Sequence, residues 1–419
     1  MPSLIASAKV SPTLAADALV QELRDKGRTI FHMGFGQAPF PAPDRLKQAL
    51  RDNAHEKAYL PIAGLPELRA AVCAHQALHT GIDPAAVDAL VAPGSKLILY
   101  AAQMAVEGDL LLPTPSWVSY APQAALLGQS VIPVPASLSD AGYQIDAEGL
   151  KRVISGARSA GKNPSKILLN YPNNPTGLTI PEHNLRELAR VCIEEDILII
   201  SDEIYGRLSF DGVYRSIALF APERTVVTTG LSKHLSLGGW RLGVGTIPKA
   251  VPGLFDALVG IASETWSCVA APVQIAAVEA YAGHADLEAF IRASTQVHAS
   301  VTGYISDRLN AAGIPCIRPQ GGFYAYPDLG PVARGIGSSA ELYDRLIRQE
   351  GIVTLPGDAF GEAPERLTLR LSACDYDGHD ALETFARSNG VIGEAEIAEF
   401  APRVIASMDG FTSFAKRFG

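Results

Sequence analysis

The chain has 419 residues, 47% hydrophobic and 19% charged, a make-up that excludes extensive disorder and a size beyond one hydrophobic core, so two domains are expected. A formal net charge of −9 with no basic tract argues against nucleic acid or an anionic membrane as the main partner and leaves a small molecule. The cysteines Cys73, Cys192, Cys268, Cys316 and Cys374 are odd in number and form no C-x-x-C pair, which argues against a disulfide framework or zinc site and fits reduced thiols in a cytoplasmic protein.

In chain order, residues 1–45 are expected to form an arm that packs with the C-terminal domain. Their start, "MPSLIASAKV", has no long apolar core behind a basic flank, and no run in the chain reaches the roughly 18 apolar residues needed to cross a bilayer. Residues 46–285 alternate short β-rich runs with longer amphipathic ones, the pattern of a mostly parallel sheet covered by helices, an α/β fold. The strands predicted are "ALVAP", "DLLLP", "SVIPV", "KILLNY", "ILIIS", "TVVTT" and "RLGVGTI". Five of them run into polar or glycine-rich turns: "PGSK", "PTPSW", "NNPTG", "DEIYG" and "GLSK". Ligands of open α/β sheets bind beyond the carboxyl ends of the strands, so these turns are expected to build one site. Residues 286–419 read as a smaller α+β domain: a long helix from about 285, "IPCIRPQGGFYAYPDL", a helix near 338–350, "RLTLRLSAC", and a tail of one or two amphipathic helices.

Lys233 ends the turn "GLSK" among apolar residues and glycines. A partly desolvated lysine has a lowered pKa and can form a Schiff base with an aldehyde, although most lysines are solvated surface groups and this segment alone favours that reading. Asp202 ends the apolar run "ILIISD"; a buried carboxylate there needs a cation or donors, and the alternative is a helix cap. The prolines of "NYPNNPTGL" stiffen the turn that carries Asn174, as they would in any tight turn. Gly94 and Ser95 open a helix whose free N–H groups suit a phosphate, or simply a cap. Arg370 stands mid-strand in "RLTLRLSAC", where it either pairs with a buried acid or awaits a ligand carboxylate. Trp117 reads as core or as a ring platform. His75 and His79 are four residues apart but lack the glutamate of a zinc-hydrolase helix, and neither "MGFG" nor "GGWRLGVG" matches a dinucleotide fingerprint, so neither a metal nor a nicotinamide cofactor is expected.

Taken together, "GFGQAPFPAP", "YLPIAGLPELRAAV", "PGSK", "PTPSWVSY", "NNPTG", "SDEIY", "SK" with Arg241 eight residues on, "LPGDAFG" and "LRLS" resemble, in this order, the class I/II aminotransferases of fold type I, from about residue 30 to residue 385. The resemblance implies pyridoxal 5′-phosphate as cofactor, an amino acid and a 2-oxo acid as substrates, and a homodimer. It implies that Lys233 carries the cofactor as a Schiff base and moves the substrate proton, that Asp202 keeps the ring nitrogen protonated, and that Tyr205 and Asn174 bind the ring hydroxyl while Trp117 stacks on the ring. Arg241, Ser95 and the Gly94 amide would bind the phosphate, with Lys96 and Ser232 nearby and Tyr59 reaching it from a second subunit. Arg370, with Gly36 and Asn174, would hold the substrate α-carboxylate. Gly230 stands where many relatives have a hydroxyl residue, so the phosphate cup is expected to differ in detail. Lys96 falls where some relatives grip a distal carboxylate, which makes a dicarboxylic amino acid such as aspartate the leading substrate; an exposed first-turn lysine is the alternative. A lyase or cyclising synthase on the same scaffold shares the same residues. A cofactor-binding regulator would need a DNA-binding module, for which the residues before "FHMGFG" are too few and insufficiently basic.

Overall fold

The protein is described here by a computed structural model covering residues 10–419; the first nine residues of the expected arm lie outside this range. The strands are β1 (Phe31–His32), β2 (Val87–Ala92), β3 (Asp109–Thr114), β4 (Val131–Ser139), β5 (Gly142–Ile145), β6 (Pro164–Asn170), β7 (Leu198–Asp202), β8 (Thr225–Gly230), β9 (Gly243–Pro248), β10 (Tyr324–Ala325), β11 (Ile352–Val353), β12 (Leu355–Pro356) and β13 (Leu369–Ser372). Eight of them form one sheet in the order β2-β9-β8-β7-β6-β3-β4-β5. The pairs β3–β4, β3–β6, β6–β7 and β7–β8 are parallel, whereas β9 runs antiparallel to both β2 and β8.

The central strands β3, β6 and β7 are largely apolar because both faces are covered, whereas β4 at the sheet margin alternates buried and exposed residues. Alternate residues feed two cores on opposite faces, as the two-residue strand period requires. Leu111, Ile167 and Ile199 pack with Leu150, Leu185 and Leu188 on one side, while Leu110, Leu168 and Ile200 pack with Leu99 and Leu258 on the other. With that sandwich in place, the carboxyl ends of the parallel strands open at one edge.

Two strand expectations need correction. "SVIPV" continues to Ser139 and turns back as the hairpin strand β5, which its four-residue length and the interrupting "SDAG" turn had hidden. "RLGVGTI" begins two residues late: Gly238–Trp240 form a 3-10 turn and Arg241 adopts φ 51°, so the arginine leaves the strand and the ladder starts only at Gly243.

The C-terminal part gathers Val301, Ile305 and Leu309 of the helix Ala285–Ala311, Phe323, Leu369 and Leu371 around a separate core. The tail forms the two helices Glu394–Phe400 and Pro402–Phe418, and the second buries Val404, Met408, Phe411 and Phe414 in that core. At the other end of the chain, β1 pairs with β11 in parallel, and the helix Pro12–Asp25 buries Ala16 and Val20 against Val353, Leu355 and Phe360.

Candidate active site

The five polar turns, the segment after β1 and β13 surround one cavity of about 370 Å³, a size that accommodates a small ligand. At one end of it, Gly94 (φ 92°) precedes the helix Ser95–Ala105. A Cβ on Gly94 would lie 2.2 Å from Arg241 Nη2, and one on Gly243 would lie 2.0 Å from the Ser95 nitrogen, so both glycines are what lets the guanidinium sit against this helix start. Arg241 donates to the Gly238 and Pro93 carbonyls at 3.0 and 3.3 Å. A guanidinium beside the positive end of a helix is an anion site.

Asp202, at the tip of β7, is 3% exposed. Tyr120 OH donates to its Oδ2 at 2.7 Å, and the Ile204 N–H reaches Oδ1 at 3.3 Å. Burial is the largest influence on this carboxyl and pushes it up to about 6, opposed by those donors. Lys233, partly buried, extends Nζ to the Gly36 carbonyl at 2.7 Å. It lies 5.7 and 5.4 Å from the Tyr205 and Phe323 rings. Burial pushes its amine down to about 8, which brings the nucleophilic neutral form within reach of neutral pH.

Arg370 is 1% exposed in β13. It donates to Asn174 Oδ1 at 3.1 Å and to the Gly34 carbonyl at 2.6 Å, and its Nε has no partner. None of Lys233, Arg241 and Arg370 makes an ion pair with a carboxylate among the described residues, so three cations face one cavity whose one carboxylate, Asp202, is within electrostatic but not ion-pair reach of Lys233. Of the three, Arg370 is buried, Lys233 partly buried and Arg241 exposed at the cavity mouth; an unpaired buried cation is costly, and a bound carboxylate would offset that cost. Lys96 places Nζ 4.8 Å from the Trp117 ring centre at the cavity wall, and burial followed by the Arg241 charge lowers its pKa.

Of the residues singled out in the sequence, Gly36, Ser95, Lys96, Trp117 and Asn174 line the cavity. So do Asp202, Tyr205, Ser232, Lys233, Arg241 and Arg370. Gly94 sits just behind it, against Arg241. Tyr59 is not brought in: it is 94% exposed and lines no part of this cavity. Sequence reasoning missed Tyr120, although it belongs to the quoted "PTPSWVSY". It also missed Asn170, whose Oδ1 receives the Asn174 N–H at 2.7 Å while its Nδ2 donates to the Asp202 carbonyl at 2.8 Å. Tyr324 was missed too; its hydroxyl lies 2.9 Å from that of Tyr205. A polar residue at the last position of an apolar strand was the available signal for Asn170, the same one that exposed Asp202.

Residues 28–382 match the family model described as aminotransferase class I and II. The chain is 30% identical over 391 residues to the aspartate/prephenate aminotransferase of Thermus thermophilus, covering 92% of this chain and 97% of that one. It is 32% identical over 393 residues to the aspartate aminotransferase of Geobacillus stearothermophilus, covering 91% and 95%. Among solved structures, the aspartate aminotransferase from Thermus thermophilus with maleate superposes with a TM-score of 0.80 at 30% identity, covering 90% of this chain and 97% of that one. That of Rhizobium meliloti gives 0.83 at 25% identity, covering 100% and 99%. Sequence motifs, α/β architecture and a cavity rich in unpaired cations thus point the same way: the chain belongs to the aminotransferase class I and II family and is an enzyme that transfers amino groups.

Proposed function

We propose that this aminotransferase works with pyridoxal 5′-phosphate on Lys233 and moves the amino group of an L-dicarboxylic amino acid, aspartate first, to a 2-oxo acid. The observation that carries the reading is the convergence of Lys233, Arg241 and Arg370 with the carboxylate of Asp202, which makes no ion pair among the described residues, on one cavity. The donor set fits the cofactor group by group: an amine for its aldehyde, a guanidinium and a helix start for its phosphate, a buried acid for its ring nitrogen. When bound, pyridoxal 5′-phosphate supplies the aldehyde that captures the amine and a protonated ring that accepts the electrons released at the substrate α-carbon.

The chain's own residues do the rest. Asp202, ionised and oriented by Tyr120, holds a proton on the ring nitrogen. Tyr205 and Asn174 hydrogen-bond the ring hydroxyl, and Trp117 covers the ring face. Arg241, Ser95 and the Gly94 amide grip the phosphate, with Ser232 beside them. Arg370, already aligned by Asn174 and Gly34, takes the α-carboxylate through its planar fork, with Gly36 closing that side. Lys233, released from the Gly36 carbonyl, takes the α-proton on Nζ and returns it on the other side of the transfer. Lys96 meets the distal carboxylate. Tyr59, exposed in one subunit, completes the phosphate site of a second, so the working unit is a homodimer. The same reading takes residues 46–285 as the cofactor-binding domain and 286–419, with the arm, as the smaller one, in a cytoplasmic enzyme.

The test is the visible absorption spectrum of the purified protein loaded with the cofactor. Aspartate is expected to discharge the band and 2-oxoglutarate to restore it, while Lys233→Ala is expected to lack it. A band that no amino acid discharges reversibly, with pyruvate and ammonia released instead, would sink the transfer of aspartate's amine and favour a lyase.

A further inference from the structure

Glu203 follows Asp202, and because successive residues of an extended chain face opposite ways, its side chain lies behind the sheet edge, on the side of Ser201 and away from the cavity. It is 1% exposed and makes no ion pair among the described residues. Four hydroxyls converge on it. Ser216 Oγ and Ser201 Oγ donate to Oε1 at 2.7 and 2.8 Å, Tyr171 OH reaches Oε1 at 3.3 Å, and Tyr214 OH donates to Oε2 at 2.7 Å.

The donors belong to three segments. Tyr171 precedes the Asn174 turn by three residues, Ser201 lies in β7, and Tyr214 and Ser216 come from the loop after it. Tyr171 also accepts the Ile217 N–H at 2.7 Å, closing the ring of contacts. Asn170 and Tyr171, neighbours in sequence, therefore hold the Asn174 turn from both sides: Asn170 next to the cavity, Tyr171 through Glu203 behind it. The Tyr214 ring is wedged in turn, since a Cβ on Gly206 would come within 2.6 Å of it and His79 stacks on it at 4.9 Å.

We propose that Glu203 is a positioning residue of the active site. Its carboxylate gathers hydroxyls from three segments and sets the angle at which Asn174 and the Asp202–Tyr205 turn meet the cofactor and the substrate carboxylate. The inference rests on the pyridoxal 5′-phosphate reading above. Stability gives no reason for a charge here. Burial, the largest influence, pushes Glu203 up to about 7 from an ordinary 4.5, against the four hydroxyls. The folded state then binds the proton more tightly than the unfolded chain, so the charge costs stability progressively from pH 4.5 to 7 and fully above. The titratable groups facing it are Tyr171, Tyr214 and, past the Tyr214 ring, His79, His75 and the Arg207–Glu288 pair. Burial holds His79 and His75 neutral, at about 4 and about 3. Glu203 and Asp202 thus remain as the carboxyls near the turn that titrate close to neutrality, with the Lys233 amine, pushed down to about 8, on the cavity side.

The test compares cofactor-loaded wild type with Glu203→Gln, which keeps the shape and removes the charge. Three quantities are read: the thermal midpoint at pH 6 and pH 8, the pH titration of the cofactor's visible band, and KM and kcat for aspartate. A glutamate serving only to hold the fold would lower the midpoint and leave the band's titration alone. The expected result is a midpoint at pH 8 that is unchanged or higher, a band titration displaced by about half a pH unit or more, and a KM raised about tenfold by the mis-set turn. Tyr214→Phe, which removes one donor and keeps the ring, is expected to move the same quantities less, and it decides the matter if Glu203→Gln does not fold. Unchanged titration and KM in the folded variant overturn the proposal. A wild-type protein that takes up no cofactor overturns the reading beneath it, and the proposal with it.

Discussion

Lys96 shows how much a single side chain depends on its surroundings. In the sequence it is a first-turn lysine that any helix could expose; in the fold it stands over Trp117 at the cavity wall, beside Arg241 and without a carboxylate. A cation so placed is expected to select a second carboxylate on the substrate. Lys96→Ala should cut kcat/KM for aspartate about 10- to 100-fold, the worth of a charge-assisted hydrogen bond, and leave a neutral amino acid within about twofold. Equal losses for both substrates would remove Lys96 from specificity. Tyr120 gives a second expectation with a definite sign. Its hydroxyl lowers the pKa of Asp202, whose ionised form is the proposed working one, so activity is lost as pH falls through that value. Tyr120→Phe should move the acid limb of the kcat/KM profile to higher pH and lower the plateau about tenfold; an unmoved limb would show that the hydroxyl does not act on Asp202. Lys233, Asp202 and Arg370 were legible in the sequence because each is a charge in an apolar run. Tyr120, Asn170 and Tyr324 were not, because a tyrosine or asparagine in such a context is as ordinary in a core as in a site, and only the partner across the cavity tells the two apart.

The phosphate end of the cavity is a property of an element, the helix Ser95–Ala105, and of the two glycines at its start. Gly94→Ala puts a methyl at φ 92° against the Arg241 guanidinium, which must swing away. The local backbone cost is about 1–3 kcal/mol, but the larger effect is expected on the cofactor, released at least about tenfold more readily in equilibrium dialysis as one charged contact is lost. Retention at wild-type affinity would mean that Arg241 does not hold the phosphate. The tail helix Pro402–Phe418 carries a different expectation. Phe411 and Phe414 are fully buried beside Leu369 and Leu371. Phe411→Ala should therefore destabilise the protein by about 3–5 kcal/mol in denaturant unfolding. A surface-like loss below about 0.5 kcal/mol would contradict the packing. The tail's helices were readable from their apolar period, but their purpose was not, since an amphipathic helix does not say which core it covers.

At the scale of the whole molecule, Tyr59 remains apart from the cavity of its own chain. If a second copy supplies it, Tyr59→Phe should weaken cofactor binding about tenfold, although it lies outside that cavity. Sedimentation of the wild type should give a dimer. An unchanged affinity would leave the site complete within one chain. The order of the motifs, the alternation of strands and helices, and the charges stranded in apolar runs were determined by the sequence alone, because burial and periodicity act on neighbouring residues and leave a local mark. What the tertiary structure decided is what depends on distant segments meeting. The strand order around β9, the departure of Arg241 from its strand, the grip of Tyr120 on Asp202 across 82 residues and the four hydroxyls around Glu203 all arise from contacts between residues that no spacing along the chain brings together.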